Sequence, residues 1–250
     1  MAVDPKVSVE GVGKSYETAD GAVEALRDVS FDVASGEFVC VVGPSGSGKT
    51  TLFRLIGGLE SPTTGSVRLD GDPVTAPSTD VGIVFQEYHL FPWRTVSGNV
   101  RFGLEQQDID SEARERRTQE LIDLVGLDGF EDAYPSRISG GMKQRVGIAR
   151  ALAVDPDLLL MDEPFGAVDA RTRDMLHEEV LDIWRETGKT VLFVTHDVEE
   201  AVKLADRVVV LGTEPGTVRE IVDVDLPRPR SVTDESFVAH KEEVRALIGD

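Results

Sequence analysis

The feature that most constrains this chain is a glycine-rich run that lies between an apolar segment and a helical one. The run reads Gly43, Pro44, Ser45, Gly46, Ser47, Gly48, Lys49 and Thr50, and it matches the pattern G-x-x-x-x-G-K-[ST] in full. The unbroken apolar segment Phe38–Val42 before it is typical of a strand covered on both faces of a parallel sheet. A helix is predicted over residues 51–56 after it. This order of strand, loop and helix predicts an α/β fold with a phosphate-binding loop.

The chemistry of this loop favours ATP and Mg²⁺ as cofactors. Glycines let the backbone curl so that successive N–H groups face phosphate oxygens, and the N-terminus of the next helix adds partial positive charge. Lys49 can reach the β- and γ-phosphates, while the Thr50 hydroxyl can ligate Mg²⁺. Thr51 completes the predicted nucleotide-binding set. A glycine-rich turn with a solvated lysine is the alternative, and the two matching flanks disfavour it.

A second apolar run, residues 158–161, ends in the acidic pair Asp162 and Glu163. Parallel strands bring their C-terminal ends to the ligand-binding edge of a sheet, so both acids are expected beside the phosphate-binding loop. Asp162 can then hold the metal's water shell, and Glu163 can orient and deprotonate the attacking water. A solvated turn is the alternative for an isolated Asp-Glu pair.

Two further polar residues follow predicted strands. Gln86 follows residues 81–85, and its amide can contact the metal and the water. His196 follows Thr190–Thr195, and its imidazole can contact the γ-phosphate. Asp197 is a plausible N-cap for the next helix, which leaves His196 available for the site. The predicted catalytic residues are therefore Glu163, His196, Gln86 and Lys49, and the predicted metal ligands are Thr50, Gln86 and Asp162.

A second anion-binding helix N-terminus is predicted at Ser139, where residues 138–145 read Ile-Ser-Gly-Gly-Met-Lys-Gln-Arg. A chain with one phosphate-binding loop needs a second phosphate surface only if that surface serves another molecule's ATP. The stretch resembles the signature motif of ABC ATPases, in which Ser139, Gly140 and Gly141 would contact the nucleotide of an opposing subunit. The resemblance covers nearly all 250 residues and identifies the chain as an ABC transporter ATP-binding subunit.

The resemblance assigns further roles. Tyr16 looks like the aromatic that stacks on adenine, Gln86 like the Q-loop glutamine, and His196 like the switch histidine. Residues 167–169 resemble the D-loop at a dimer interface. The chain departs from the commonest pattern at Ile138 and Val168, where leucine is usual, and both changes keep an apolar side chain of similar size.

The strands and helices of the remaining chain predict how these sites are carried. Residues 7–9, 29–33 and 65–69 read as strands, the last followed by a turn at Asp70-Gly71. Helices are predicted over 110–125, 139–152, 172–187, 197–205 and 234–248, and strands at 158–161, 190–195 and 208–211. Such alternation indicates right-handed βαβ units. The family implies a P-loop NTPase (RecA-like) parallel-sheet core with an N-terminal antiparallel β subdomain, an inserted helical subdomain at 88–152 and a tail at 226–250.

Composition bounds the partners and the location. The chain carries 26 basic and 46 acidic residues, a formal net charge of -20, which argues against nucleic acid as a partner. It has no apolar run near the length of a membrane-spanning helix and no signal-peptide core, so a cytoplasmic protein is expected. The single cysteine, Cys40, is expected to be a buried thiol. The charge suggests a very salty source cytoplasm, with an ordinary acidic protein as the alternative.

Finer resemblance points to the nitrate/sulfonate/taurine importer branch. It depends on three stretches, residues 90–96, 214–216 and 226–230. The family then implies three partners. The first is a second ATPase subunit, either the same chain or a close relative. The others are a membrane permease and a solute-binding protein outside the membrane. Residues 91–93 (Phe-Pro-Trp) could line a permease-binding groove or pack within the helical subdomain. DNA-repair and translation-associated ABC ATPases are rival interpretations. The first class resembles chains with a long coiled-coil or zinc-bearing insertion between the motifs, and the second resembles chains with two nucleotide domains. This sequence shows neither pattern.

Overall fold

A computed structural model describes residues 4–19, 21–166 and 168–249 of the chain. The chain divides into a first unit, Met1–Ser78 with Thr190–Asp250, and a second unit, Thr79–Lys189. No helix within the described residues is both long and apolar enough to cross a membrane.

The first unit contains most of the strands. With strands and helices numbered along the whole chain, its elements are β1 (Val7–Thr18), β2 (Gly21–Val33), β3 (Phe38–Val42), α1 (Lys49–Ile56), β4 (Thr64–Leu69), β5 (Asp72–Pro73), β8 (Thr190–Thr195), α6 (Val198–Leu204), β9 (Arg207–Leu211), β10 (Val218–Asp223) and α7 (Glu235–Ile248).

One sheet of this unit is antiparallel, with the strand order β2-β1-β4-β5. The apolar side chains of Val7 and Val9 pair with Val33 and Phe31 across β1 and β2, and all four are buried. Strand β4 turns into β5 through Asp70 and Gly71, which have φ values of 51° and 83°. The antiparallel subdomain and its turn are thus confirmed, and β1 and β2 are longer than the predicted strands.

The other strands of this unit, β10, β9, β3 and β8, lie side by side in that order. Strand β3 pairs in parallel with β8 on one side and β9 on the other, and all five of its residues are fully buried. Cys40 lies in this strand, and burial holds the pKa of its thiol well above the usual value. The parallel core is confirmed. Strand β10, which pairs antiparallel with β9, was not predicted.

The second unit combines two strands with several helices, among them the 18-residue helix Ala170–Thr187. Its elements are β6 (Val81–Val84), α2 (Val96–Arg101), α3 (Ser111–Leu124), α4 (Gly140–Leu152), β7 (Leu158–Asp162) and α5 (Ala170–Thr187). Strands β6 and β7 pair in parallel. The predicted helices α3 and α4 are confirmed to within a residue, whereas the six-residue α2 was not predicted. These three helices fall inside residues 88–152, but the limits of that subdomain and of the tail at 226–250 stay predictions.

Within the first unit, arginine side chains and helix α7 hold the C-terminal part of the chain in place. Arg230 donates through Nη1 to the carbonyl oxygens of Val202 and Ala205, at 2.6 Å each. Arg228 donates to the Leu204 carbonyl at 2.6 Å and to Asp206 Oδ1 at 2.7 Å. These carbonyls lie at the C-terminal end of α6, where a helix has no further backbone donors of its own. The two arginines therefore cap α6.

Candidate nucleotide-binding site

The phosphate-binding loop, residues 43–50, leaves the C-terminal end of the fully buried strand β3. Val42, the last residue of β3, pairs in parallel with Thr195 of β8. Because paired parallel strands end at the same edge, the loop and His196 both begin at this edge of the sheet. The structure thus places two of the predicted site segments together within the first unit.

The glycines of the loop adopt backbone shapes that other residues rarely take. Gly46 has a φ of 82°, and a Cβ atom built there meets nothing within 4 Å. Gly48 has a φ of 85°, and a Cβ there would approach Leu26 Cδ2 to 2.5 Å. Gly46 therefore leaves open space on the outer side of the loop, while Gly48 lets the loop press against β2.

The donors of the loop fit an anionic phosphate group. Lys49 lies within the loop, because its Nζ donates to the carbonyl oxygens of Gly43 at 2.7 Å and Pro44 at 3.0 Å. Ser47 Oγ is buried and has no hydrogen-bond partner within the described residues. Among the described residues, no side chain caps the N-terminus of helix α1, and the first turn of this helix has no acidic residue. An uncapped helix N-terminus beside a lysine and open glycine backbone is the usual environment of a phosphate.

Tyr16 of β1 lies beside the start of α1. Its hydroxyl donates to Glu60 Oε2 at 2.7 Å and lies 3.5 Å from Thr51 Oγ1. Burial raises the pKa of the Tyr16 hydroxyl, and the bond to its carboxylate partner adds to the shift. Lys14 Nζ is 5.1 Å from the ring centroid. The half-buried Tyr16 ring is thereby fixed close to Thr51, another predicted nucleotide-binding residue.

His196 is exposed directly after β8. The next residue, Asp197, accepts hydrogen bonds from the backbone N–H groups of Glu199 at 2.9 Å and Glu200 at 3.4 Å. Asp197 is therefore the N-cap of α6, as predicted.

In the second unit, the acidic pair ends β7. Asp162 is the last residue of the strand, and Glu163 has a φ of 42°. A positive φ is uncommon for a residue with a side chain and marks strained, often functional, positions. Gly166 N donates to Glu163 O at 3.1 Å, and a Cβ atom built on Gly166 would lie 3.0 Å from Gln86 Nε2. The structure therefore brings Gln86 next to the turn that carries Glu163.

Helix α4 begins at the predicted second phosphate surface. Ser139 is the N-cap, and its Oγ accepts from the Met142 N–H at 3.2 Å. Ser139 is exposed, whereas Gly141 is buried, and a Cβ on Gly141 would lie 2.9 Å from Thr172 Cγ2. The start of α4 thus packs closely on the start of α5.

Helix α5 has a well-formed cap in the predicted D-loop. Asp169 accepts from the Thr172 N–H at 3.1 Å and from the Thr172 hydroxyl at 2.7 Å. Its hydrogen bond from the Thr172 side chain is the main reason that the pKa of Asp169 is lowered. Of the predicted D-loop residues, Ala167 lies outside the described residues.

Residues 214–216 support the phosphate-binding loop, a role that the sequence did not predict. A Cβ atom built on Gly216 would lie 2.2 Å from Ser47 O, so the two backbones are in contact. Gly216 N also donates to Ala25 O at 3.0 Å, and Arg27 N donates to Gly216 O at 2.9 Å. The sequence signal for this role is the glycine of residues 214–216, a stretch that also resembles the importer branch.

Comparison with known proteins places the chain in a family. A family model described as ABC transporter matches residues 26–166. An uncharacterised ABC transporter ATP-binding protein of Methanocaldococcus jannaschii is 51% identical, covering 98% of this chain and 92% of the relative. A nitrate import ATP-binding protein of Synechocystis is 48% identical over 91% of the chain and 89% of the relative. An aliphatic sulfonates import ATP-binding protein of Bacillus cereus is 44% identical over 95% and 94%.

A solved structure agrees with these matches. The dimeric post-hydrolysis state of an ATP-binding cassette bound to ADP and phosphate superposes with a TM-score of 0.76 at 33% identity, covering 88% of this chain and 100% of that one. The chain belongs to the ATP-binding subunits of ABC transporters, and its predicted P-loop NTPase fold and ATPase activity are confirmed.

Proposed function

We propose that this chain powers an importer of the nitrate/sulfonate/taurine type by hydrolysing Mg-ATP at a dimer interface. The observation that carries the proposal is that one chain has two helix N-termini suited to phosphate, the start of α1 within the loop at residues 43–50 and the start of α4. The names of the nitrate and sulfonate relatives support the branch. Another importer branch or an exporter is the alternative.

ATP is proposed to bind first to the phosphate-binding loop. Lys49 neutralises the β- and γ-phosphates and exchanges its two loop carbonyls for phosphate oxygens. The open backbone at Gly46 and the uncapped start of α1 supply N–H donors. Tyr16 stacks on adenine. The hydrogen bond from its hydroxyl to Glu60 fixes the orientation of the ring for this contact.

The Mg²⁺ ligands are proposed to be Thr50, Gln86 and Asp162, because hydroxyl, amide and carboxylate oxygens suit this cation. When bound, Mg²⁺ would neutralise charge that develops on the phosphates. Glu163 is the proposed general base for the attacking water, and His196 donates to the γ-phosphate.

A second copy or a close relative is the proposed dimer partner. Ser139, Gly140 and Gly141 would contact the ATP held by that partner subunit, and Asp169 would lie at the interface. The dimeric cassette with ADP and phosphate supports this arrangement by likeness. Closing on ATP and opening after hydrolysis would drive the permease, since the γ-phosphate contacts that hold the dimer shut are then lost.

The permease is proposed to dock on the aromatic cluster after Gln86, at the cytoplasmic face of the membrane. Trp93 is 71% exposed, which is unusual for an indole. The Phe91 ring packs at a tilt against it, with ring centroids 5.6 Å apart, and against Phe102 at 4.6 Å. Exposed Trp93 on a packed base favours the groove over pure internal packing. A solute-binding protein outside the membrane would choose the solute.

The branch is tested in the assembled transporter. We expect nitrate, taurine or an alkanesulfonate, with its capture protein, to raise the ATPase rate of the chain in complex with its permease in lipid discs. Trp93→Ala should abolish this stimulation and spare the basal rate, whereas Val238→Ala, an exposed apolar residue of α7, should change neither. Stimulation only by solutes of other chemical classes would overturn the branch, and solute efflux would establish the exporter.

A further inference from the structure

The segment after Gln86 touches the first turn of α4. A Cβ atom built on Gly140 would lie 2.9 Å from Tyr88 Oη and 3.9 Å from Tyr88 Cζ. Tyr88 is half-buried. Its hydroxyl lies against the Gly140 backbone, at a place where any side chain on residue 140 would displace it.

Helix α4 also holds this segment from its last turn. Arg150 donates through Nη1 to His89 O at 2.7 Å and through Nη2 to Tyr88 O at 3.2 Å. Its guanidinium lies 5.7 Å from the ring centroid of Phe91. His89 has a φ of 44°, a backbone conformation that needs such outside support. Tyr88 is thus fixed to α4 through both its side chain and its carbonyl oxygen.

In the other direction, the segment leads to the turn after β7. Gln86 is two residues before Tyr88, and its Nε2 is 3.0 Å from a Cβ atom built on Gly166. That same Cβ would lie 3.4 Å from Glu163 O. Tyr88 thus approaches Gly140 and Gln86 approaches Gly166, and the chain from Gln86 to Tyr88 links the start of α4 to the Glu163 turn.

We propose that Tyr88 is a positioning residue that couples the Gly140 surface to Gln86. A phosphate group that arrives at Ser139 and Gly140 fixes the Tyr88 hydroxyl, and the short chain from Tyr88 to Gln86 then holds the Gln86 amide in its place next to the Glu163 turn. The inference rests on the proposed function, in which Ser139 and Gly140 contact the partner subunit's ATP and Gln86 acts on the ATP bound to the same chain. Each subunit would then hydrolyse its ATP only after its partner's ATP has been docked.

A double-mutant cycle tests this coupling, because it isolates the interaction between two sites. Tyr88→Phe removes the hydroxyl and leaves Cζ, whose 3.9 Å distance from a residue-140 Cβ is an ordinary contact. We expect Tyr88→Phe to lower kcat about tenfold with little change in KM for ATP, since the phosphate-binding loop is unaltered. Gly140→Ala should lower kcat at least as much. The double variant should be no slower than Gly140→Ala alone.

Tyr134→Phe is the matched control, because Tyr134 is 45% exposed just before the same helix; its kinetics should equal those of the wild type. A Tyr88→Phe enzyme with wild-type kcat would overturn the proposal, and so would losses that multiply in the double variant. A rise in KM alone would also overturn it, because a purely structural disturbance of nucleotide binding would then explain the effect.

Amide hydrogen exchange gives a readout that does not depend on hydrolysis. In the nucleotide-free chain, Gly140→Ala should speed exchange at residues 87–89, and it should not do so when Tyr88→Phe is also present. Equal effects in both backgrounds would overturn the coupling. If the wild type fails to hydrolyse Mg-ATP, the proposed function is wrong, and the exchange measurement still decides whether Tyr88 couples these segments.

Discussion

Gly216 shows how a residue without a side chain can matter to a nucleotide site. Its backbone lies against Ser47 O, and its hydrogen bonds with Ala25 and Arg27 leave it no room to retreat. A methyl group at this position must displace the phosphate-binding loop, and displacements of about 1 Å can cost about 100-fold in rate.

We therefore expect Gly216→Ala to weaken ATP binding about tenfold or more, measured by isothermal titration calorimetry. Gly147→Ala is the control, because a Cβ at Gly147 meets nothing within 4 Å. Both variants should keep the circular dichroism spectrum of the wild type. Normal ATP affinity in Gly216→Ala would show that the loop does not depend on this contact.

At the scale of elements, the tail segment at residues 226–230 is a cap for α6 as much as a connection. Arg230 donates four hydrogen bonds, two of them to the final carbonyls of α6 and the others to Val224 O and Leu226 O. Burial, with the nearby Arg228 charge, lowers the pKa of Arg230 to about 10, so it remains charged near neutral pH. Its removal leaves several carbonyl groups without donors.

We expect Arg230→Met to lower the free energy of unfolding by about 3 kcal/mol, because buried unpaired polar groups cost about 1–3 kcal/mol each. Arg245→Met is the control. It breaks only an exposed i,i+3 pair with Glu242 and should change stability by less than about 0.5 kcal/mol. Urea unfolding at constant high salt measures both. Equal stability of Arg230→Met and the wild type would refute the capping role.

Some of the helices and strands could be predicted from the sequence, and others could not. Helices α3 and α4 were predicted closely because Asp110 and Ser139 are N-caps that precede apolar repeats. Strand β10 was missed, since Val218–Asp223 is mostly polar or half-buried and is defined by its pairing with β9. The site residues followed from motifs at strand and helix ends. The contact of Tyr88 with Gly140 could not be predicted, because it joins residues 52 positions apart through tertiary packing.

At the scale of the whole molecule, we expect the net charge of -20 to make the stability of the fold depend on screening by salt. Unpaired acidic groups repel one another, and the Debye length falls from about 10 Å at 0.1 M salt to about 3 Å at 1 M. We expect the free energy of unfolding and the ATPase rate to rise with KCl up to molar concentrations. Choline chloride at equal ionic strength should stabilise the fold equally if screening is the cause. Full folding and activity in dilute buffer would contradict the salty-cytoplasm hypothesis.

In the proposed mechanism, two copies close around ATP and Glu163 then drives hydrolysis. The most direct measurement is sedimentation velocity of Glu163→Gln at high salt, with and without Mg-ATP, alongside its ATPase rate. We expect a monomer that becomes a stable dimer on adding Mg-ATP, with turnover reduced at least about 100-fold. A Glu163→Gln chain that hydrolyses ATP at the wild-type rate, or that stays monomeric with saturating Mg-ATP, would contradict it.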